Sequence, residues 1–374
     1  MKLLPDNIEQ DKYLGKGNEY LYFSLVTIII ILVSIFLASF FEEIDLGDLG
    51  SILSGTLGPV IALLVAIFTF LAFYVQYDAN KKIQLQFKVQ QFESQFYKML
   101  DLHKSNIEEM NVTFFDHITE ESFTKDLNGK ISSAYLLKST EFLREIEGRK
   151  LFHGMIKELE TVIDVVLDET NIYIGRDIRS YPNMYSYLLG YSYKLFWFGL
   201  DSEQARMRGN LALEEVIISK LLRIQKKFYE RHKLGIQDRQ DPVQFRFYPF
   251  EGHESRLSHY FRNLFAIVRL VVENYDGDYN SKSYTIARKY LKILRAQLSN
   301  SEQHLLYYNY RIGFGVEWDQ NGIRNNKFFT KYRMIHNLPV DRIKIPESPR
   351  VHFADYIKSD EVSVNDPLFE WGDN

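Results

Sequence analysis

Two segments of the chain carry the polar side chains best suited to chemistry, and the first is "GHESRLSHYFRNLF", residues 252–265. Histidine titrates near neutral pH, so His253 and His259 are candidates for general acid–base work. At helical spacing, His259, Arg262 and Asn263 share one face, while the apolar side chains of the segment fill the other. We therefore take the two histidines and Arg262 as candidate site residues.

The second segment is "LRAQLSNSEQHLLYYN", residues 294–309, in which Arg295, Ser299 and Glu302 are spaced by four and three. This spacing predicts that the three side chains share one face of a single helix. A polar seam between this helix and the helix of the first segment is tolerated in a core only when it is hydrogen-bonded throughout. That structural interpretation is favoured, and a ligand or acid–base site containing Arg295 and Glu302 is the alternative.

The rest of the sequence excludes several classes of active site. It has no glycine-rich phosphate loop, no His-Glu-x-x-His zinc helix and no Gly-x-Ser-x-Gly nucleophile elbow. The absence of cysteine from all 374 residues excludes disulfides, cysteine-ligated zinc and thiol catalysis. The net charge of −4 carries no electrostatic signal for nucleic acid. We therefore expect no cofactor and no metal, and a non-enzymatic protein is favoured over an enzyme.

Helical periodicity dominates the elements that must position these residues. A largely apolar stripe follows residue 78 at spacings of four and three; it consists of Leu85, Val89, Phe92, Phe96, Met99, His103 and Ile107. About three heptads are short for a coiled coil, so a core-facing helix is favoured over a stalk between subunits. Further helices are predicted over residues 134–146, 155–167, 185–200, 210–232, 259–274 and 282–310. Strand signals are weak, and residues 241–250 are the candidate for a short hairpin.

Two uncharged stretches near the N-terminus predict membrane spans. Residues 21–41 contain no Asp, Glu, Lys or Arg, and as a helix they measure about 30 Å, the thickness of the hydrocarbon core. Residues 57–77 are also uncharged and equally long. A secretory signal fits poorly, because the first apolar stretch is too long and a second one follows it. We therefore expect a two-helix transmembrane hairpin in a lipid bilayer.

The charges that flank the two stretches predict the orientation of the hairpin. The N-terminal tail carries three lysines, and Lys81, Lys82 and Lys88 follow the second stretch. The connecting loop has four acidic residues and neither Lys nor Arg. Because positive charge stays on the inner side, both termini are expected in the cytoplasm of a bacterial cell, with the protein multi-pass in the inner membrane.

Small residues recur every four positions in the second stretch. They are Ser54, Gly58, Ala62 and Ala66, which a helix places on one face. Small side chains allow another helix to approach closely, and that helix is either the first span or the same face of another subunit. The pattern is permissive, so both partners stay open, and we expect a homo-oligomer.

The resulting fold class is mainly α, with an N-terminal two-helix transmembrane hairpin followed by an all-α, helical bundle-like cytoplasmic domain. The expected boundaries are a cytoplasmic tail over 1–20, the hairpin over 21–77, the helical domain over 78–345 and a tail over 346–374. The last of these is acidic and punctuated by proline, which is typical of a segment that lies along the surface.

Four blocks of the chain resemble the phage abortive infection proteins of the bacterial AbiC-like family. They are "FESQFYKMLDLHKSNIEEM" at 92–110, "GHESRLSHYFRNLF", "YLKILRAQLSNSEQHLLYYN" at 290–309 and "KFFTKYRMIHNLP" at 327–339. Their order and spacing resemble the family over nearly the whole chain, although the aromatic run before Asn309 is less bulky. The resemblance implies bacterial antiviral defence, in which infected cells stop growing or die before phage is released. It supplies no catalytic residue.

Three hypotheses follow for the mechanism. In the first, the cytoplasmic domain senses infection through a phage-derived trigger, and oligomeric hairpins then perturb the inner membrane. In the second, the chain is a membrane-tethered enzyme, for example a nuclease, that uses the region of His253, His259, Arg295 and Glu302. In the third, it is a scaffold that recruits another defence protein. The first hypothesis is favoured.

Overall fold

The computed structural model describes residues 22–23, 25–30, 33–34, 37, 46–122, 136–234, 245, 247–279, 281–320, 326–345, 347–359 and 365–370. The predicted tail over 1–20 and much of the acidic loop lie outside these residues. Those described between 22 and 37 are helical, and Thr27 Oγ1 donates a hydrogen bond of 2.8 Å to the carbonyl of Phe23 in the preceding turn.

The chain divides into two compact units, residues 1–95 and 96–374, with the boundary inside the long helix α1, Leu46–Glu108. In the first unit, the apolar side chains of α1 are largely exposed, as in Leu63, Phe70 and Phe73 at 61%, 70% and 66%. Within the described residues one helical segment, Ile61–Glu108, is long and apolar enough to cross a membrane. The second of the two expected spans lies on this helix, whereas the hairpin of two spans stays a prediction.

The second unit is mainly helical, as predicted. Its strands are β1, Asn111–Ser122, and β2, Leu136–Glu147. Its longer helices are α2, Lys150–Ile174, α3, Pro182–Phe198, α4, Leu211–Leu234, α5, Glu254–Tyr275, α6, Lys282–Arg295, and α7, Asn300–Ile312. Single-turn helices α8, Pro349–His352, and α9, Ala354–Ile357, follow, and short 3₁₀ turns cover Ile178–Ser180, Glu203–Ala205, Val316–Trp318 and Val340–Arg342.

The helix predicted over 134–146 is wrong, because most of this segment forms β2. The two strands pair antiparallel from Asn111 opposite Glu147 to Ser122 opposite Leu136. β1 is rich in β-branched and aromatic residues, which favour a pleated surface, and its backbone provides hydrogen-bond partners for β2. Pairing between strands therefore overrides the local helical pattern. The hairpin suggested for 241–250 is not found at residues 245 and 247–250, the part of it that is described.

The single helix predicted over 282–310 is also wrong, because the chain stops being helical after Arg295 and starts again at Asn300. Ser299 is the N-cap of α7, and its Oγ accepts from the backbone N–H of Glu302 at 3.3 Å. Glu302 Oε2 accepts in return from the backbone N–H of Ser299 at 2.7 Å. This reciprocal pair is a capping box, and its Ser-x-x-Glu spacing marks a helix start that the periodicity concealed.

The core of the second unit is built around α2, which packs against α3, α4 and α7. Leu151, Met155 and Leu159 of α2 have no exposed surface. The aromatic helix α3 is buried as predicted, with Tyr193 and Phe196 fully inside. The end of α1 also enters this core, which confirms the core-facing interpretation for that part of the stripe; Phe96, His103 and Ile107 are buried there.

Candidate functional site

His253 lies in a buried hydrogen-bonded cluster at the start of α5. Its Nε2 is 3.0 Å from Oε2 of Glu158 on α2, and the backbone N–H of Phe250 donates to the other carboxylate oxygen at 2.9 Å. The backbone N–H of His253 donates to the carbonyl of Trp197 at 2.8 Å. The histidine therefore ties α2, α3 and α5 together, and at 3% exposure its ring is withdrawn from solvent.

Close backbone packing holds this histidine in place. Gly252 has φ of +89°, and a Cβ there would lie 2.6 Å from the carbonyl carbon of Phe198 at the end of α3. Gly199 has φ of +88°, and its Cβ would lie 2.7 Å from the carbonyl oxygen of Glu251. Both positions need glycine, since a side chain would be strained and would also collide with the facing backbone. The Gly252–His253 pair of the first segment therefore allows the backbone before α5 to pack closely against the end of α3.

Glu302 forms a second buried cluster, between α5 and α7. Tyr260 of α5 donates its hydroxyl to Glu302 Oε1 at 3.3 Å, and Arg149 Nε lies 3.5 Å from Oε2. Burial raises the pKa of this carboxyl group, and the hydrogen bonds from Ser299 and the charge of Arg149 oppose that rise. The hydrogen bond from Tyr260 to Glu302 is thus a buried polar contact between α5 and α7, but it does not involve the α5 residues of the expected seam.

The remaining candidate residues do not join either cluster. Arg295 donates from Nη1 to the carbonyl of Arg333 at 3.0 Å, and burial, followed by repulsion from Arg288, lowers its pKa to about 10. His259 and Arg262 are exposed on α5. The prediction that Arg295, Ser299 and Glu302 share one helical face is wrong, because the break before α7 separates Arg295 from the other two.

Sequence reasoning missed a third buried cluster, around Glu160 of α2. Its carboxylate accepts from Lys344 Nζ at 2.9 Å and from the Tyr308 hydroxyl at 3.2 Å. His304 Nε2 is 3.8 Å from the same carboxylate, and burial, followed by the charges of Arg342 and Lys344, lowers the pKa of His304 to about 4. The available signal was that Glu158 and Glu160 lie beside apolar positions of an amphipathic helix, since buried carboxylates need partners.

A fully buried arginine was also missed. Arg333 has no exposed surface and adopts φ of +60°. Its guanidinium donates to the Thr330 carbonyl and the Tyr356 hydroxyl, and Nη2 lies 3.4 Å from the carboxylate of Asp366. Asp366 also accepts from Arg288 at 2.6 Å. The C-terminal segment is thereby fixed to the helical unit, with Leu368 and Phe369 fully buried behind it.

The described residues hold no group of three metal-binding side chains. The small-residue positions lie together on α1: Gly58, Ala62 and Ala66 are exposed, and only the backbone of Ser54 is described. A Cβ on Gly58 would meet nothing within 4 Å.

These features define a mainly helical chain with one candidate membrane segment among its described residues and with buried polar clusters that connect the helices of the second unit. Residues 252–343 match a family model described as "Putative phage abortive infection protein". The match begins at Gly252, runs through α5, α6 and α7, and contains three of the four blocks that carried the predicted resemblance. The resemblance is thereby confirmed over these residues, and the block at 92–110 lies outside the match. No curated protein and no solved structure matches the chain.

Proposed function

We propose that the chain is a membrane-anchored antiphage effector, in which the helical unit responds to infection and the N-terminal helices perturb the bacterial inner membrane. The family match over 252–343 supports the antiphage role, because the description of that family connects it with abortive infection. Both termini would be cytoplasmic, as the lysines flanking the apolar stretches indicate.

The observation that carries the membrane part is the exposed apolar surface of α1. No residue of its most apolar stretch of 18 residues is buried. Leaving one large apolar side chain in water rather than burying it costs about 1.5–3 kcal/mol, and this stretch exposes several. Lipid covers such a helix completely, and the helix satisfies its own backbone hydrogen bonds.

The open face at Gly58 supports assembly of several subunits. Since a Cβ there would meet nothing within 4 Å, a second helix has room to approach its backbone. The effector would then be a homo-oligomer whose packed spans change arrangement when infection is sensed.

We favour the membrane effector over the enzyme hypothesis. The candidate side chains divide among separate clusters, and His253 and Glu302 are each engaged by buried partners that bridge helices. Two exposed residues, His259 and Arg262, remain, and they lie on a helical surface. A scaffold that recruits another defence protein is the second candidate, because it also requires an anchor and a rigid helical unit.

The experiment compares cells expressing the full-length chain with cells carrying an empty vector during phage infection. A voltage-sensitive dye reports membrane potential while plaque counts report protection. A membrane effector depolarises infected cells before lysis and lowers the yield of phage. Protection with an undisturbed membrane potential would rule this mechanism out and favour the enzyme or the scaffold.

A further inference from the structure

A cationic cavity of about 380 Å³ lies between α6 and the C-terminal segment of the helical unit. Four basic side chains of α6 line it, together with a carboxylate; they are Arg288, Lys289, Lys292, Arg295 and Asp366. At 100° per residue the four cations fall on one stripe of the helix, so their charges point in a common direction. Among these residues, Arg295 alone was a candidate site residue from the sequence.

Among the described residues that line this cavity, the basic side chains outnumber the acidic ones. Asp366 pairs with Arg288 at 2.6 Å and with Arg333 at 3.4 Å, so the one lining carboxylate is shared between two arginines. Lys289 and Lys292 are exposed, and no carboxylate lies within ion-pair distance of either in the described part of the chain. Glu370, which accepts from Asn337 at 2.5 Å, is the other acidic group near Arg295.

Two residues on the other side of the cavity, Tyr332 and His336, are held by hydrogen bonds. Tyr332 is 3% exposed and donates its hydroxyl to Asp276 at 2.8 Å. His336 bonds through Nδ1 to the carbonyl of Leu368 at 3.0 Å, while burial, followed by the charge of Arg295, lowers its pKa and favours the neutral ring. The positive charge of the cavity therefore resides on the α6 side chains, and Tyr332 and His336 add none.

We propose that this cavity binds a phosphate-bearing small molecule of about nucleotide size, through Lys289, Lys292 and Arg295, beside the Arg288–Asp366 pair. A polyanion offsets the mutual repulsion of the four cations, and guanidinium and ammonium groups are the usual phosphate ligands. The volume lies within the range of small-molecule sites, roughly 300–1,000 Å³. The carboxylate of Asp366 lies on one side of the site and competes with the bound phosphate for Arg288.

The test measures binding by isothermal titration calorimetry to the full-length protein in detergent. ATP without metal and inorganic pyrophosphate are the probes, and adenosine is the uncharged control. Lys289→Gln combined with Lys292→Gln removes two exposed charges, so folding should be unaffected. The matched control, Lys282→Gln with Lys358→Gln, removes two exposed lysines that do not line the cavity.

The proposal predicts saturable binding of ATP and pyrophosphate, no binding of adenosine, and at least a tenfold loss of affinity in the cavity variant, equivalent to about 1.4 kcal/mol. The control variant should change affinity less than about twofold, because only net charge is altered. Absence of binding, or equal loss in the cavity and control variants, would overturn the proposal.

A parallel titration with dioctanoyl phosphatidic acid identifies the source of the phosphate. Tighter binding of ATP assigns the site to a soluble nucleotide, whereas tighter binding of the lipid assigns it to a headgroup. The measurement detects binding directly, so its outcome does not depend on whether the chain depolarises membranes.

Discussion

Replacing His304 by phenylalanine should reduce the loss of folding stability that the helical unit undergoes at acidic pH. His304 is 5% exposed, its ring lies 4.7 Å from that of Tyr308, and its buried Nε2 has no hydrogen-bond partner in the described part of the chain. Glu160 is 3.8 Å away, but Lys344 already neutralises that carboxylate at 2.9 Å. Phenylalanine keeps the ring contact and removes the group that must accept a proton.

The magnitude follows from the displaced pKa. Burial, followed by the charges of Arg342 and Lys344, lowers the pKa of His304 from 6.5 to about 4 in the folded protein. The unfolded chain therefore binds more protons between these two values, and the contribution of His304 to stability is complete above pH 6.5 and is lost as the pH falls towards 4. Linkage gives a loss of about 2 kcal/mol at pH 5 and about 3 kcal/mol at pH 4.

The assay is thermal unfolding of the full-length protein followed by tryptophan fluorescence between pH 8 and pH 4. At about 2–4 °C per kcal/mol, His304→Phe should melt roughly 4–8 °C above the parent at pH 5, after normalisation to the difference at pH 8. His259→Phe, which removes an exposed histidine on α5, is the control for the loss of one histidine. Parallel pH profiles for the parent and His304→Phe would refute the reasoning.

Three further predictions concern other parts of the chain. Arg295→Ala should lower the free energy of unfolding by about 1–3 kcal/mol, because the buried backbone carbonyl of Arg333 loses its hydrogen-bond donor. An unchanged melting curve with abolished phage protection would instead indicate a functional site. Gly252→Ala should lower the free energy of unfolding by about 2 kcal/mol or more, because the added Cβ would collide with the backbone of Phe198. Gly175→Ala is also at positive φ, but a Cβ there would meet nothing within 4 Å, so it should lower the free energy of unfolding by about 1 kcal/mol. Equal losses would refute the backbone-contact argument. In this cysteine-free chain, a cysteine at Gly47 should be labelled from outside the cell and one at Asn80 should not, and the reverse pattern would contradict the topology.

Sequence periodicity predicted the helices that bury a continuous apolar face. It failed at the end of α6 and at β2, where the conformation depends on helix capping or on pairing between strands. α3 and α5 were found because their apolar residues repeat at helical spacing over several turns. The end of α6 was missed although Ser299 and Glu302 have the spacing of a capping box. β2 could not be found locally, because its conformation depends on pairing with β1.

The sequence indicated one member of each of two buried polar clusters, but it did not indicate the partners. Both His253 and Glu302 were selected for their type and position, and both prove to be buried and hydrogen-bonded. Their partners, Glu158 and Tyr260, come from helices far away in the sequence, so spacing alone could not identify them. The cationic cavity was missed for the same reason, since the segment that carries Asp366 follows α6 by about 70 residues.

The central claim is that the N-terminal helices act on the membrane and do more than anchor the chain. Gly58→Leu combined with Ala62→Leu keeps α1 apolar, so insertion should persist, but it blocks the close approach of a second helix. Thr56→Leu with Leu63→Phe adds apolar bulk away from that face and serves as the control.

The decisive measurement is membrane potential during infection in cells that express each variant at equal levels in the inner membrane fraction. The account predicts that the control depolarises infected cells and protects the culture, while the Gly58→Leu/Ala62→Leu variant, with an unchanged melting curve, does neither. Full depolarisation and protection by that variant would contradict the packing of spans through the Gly58 face. Full protection without depolarisation would leave the helices as an anchor alone.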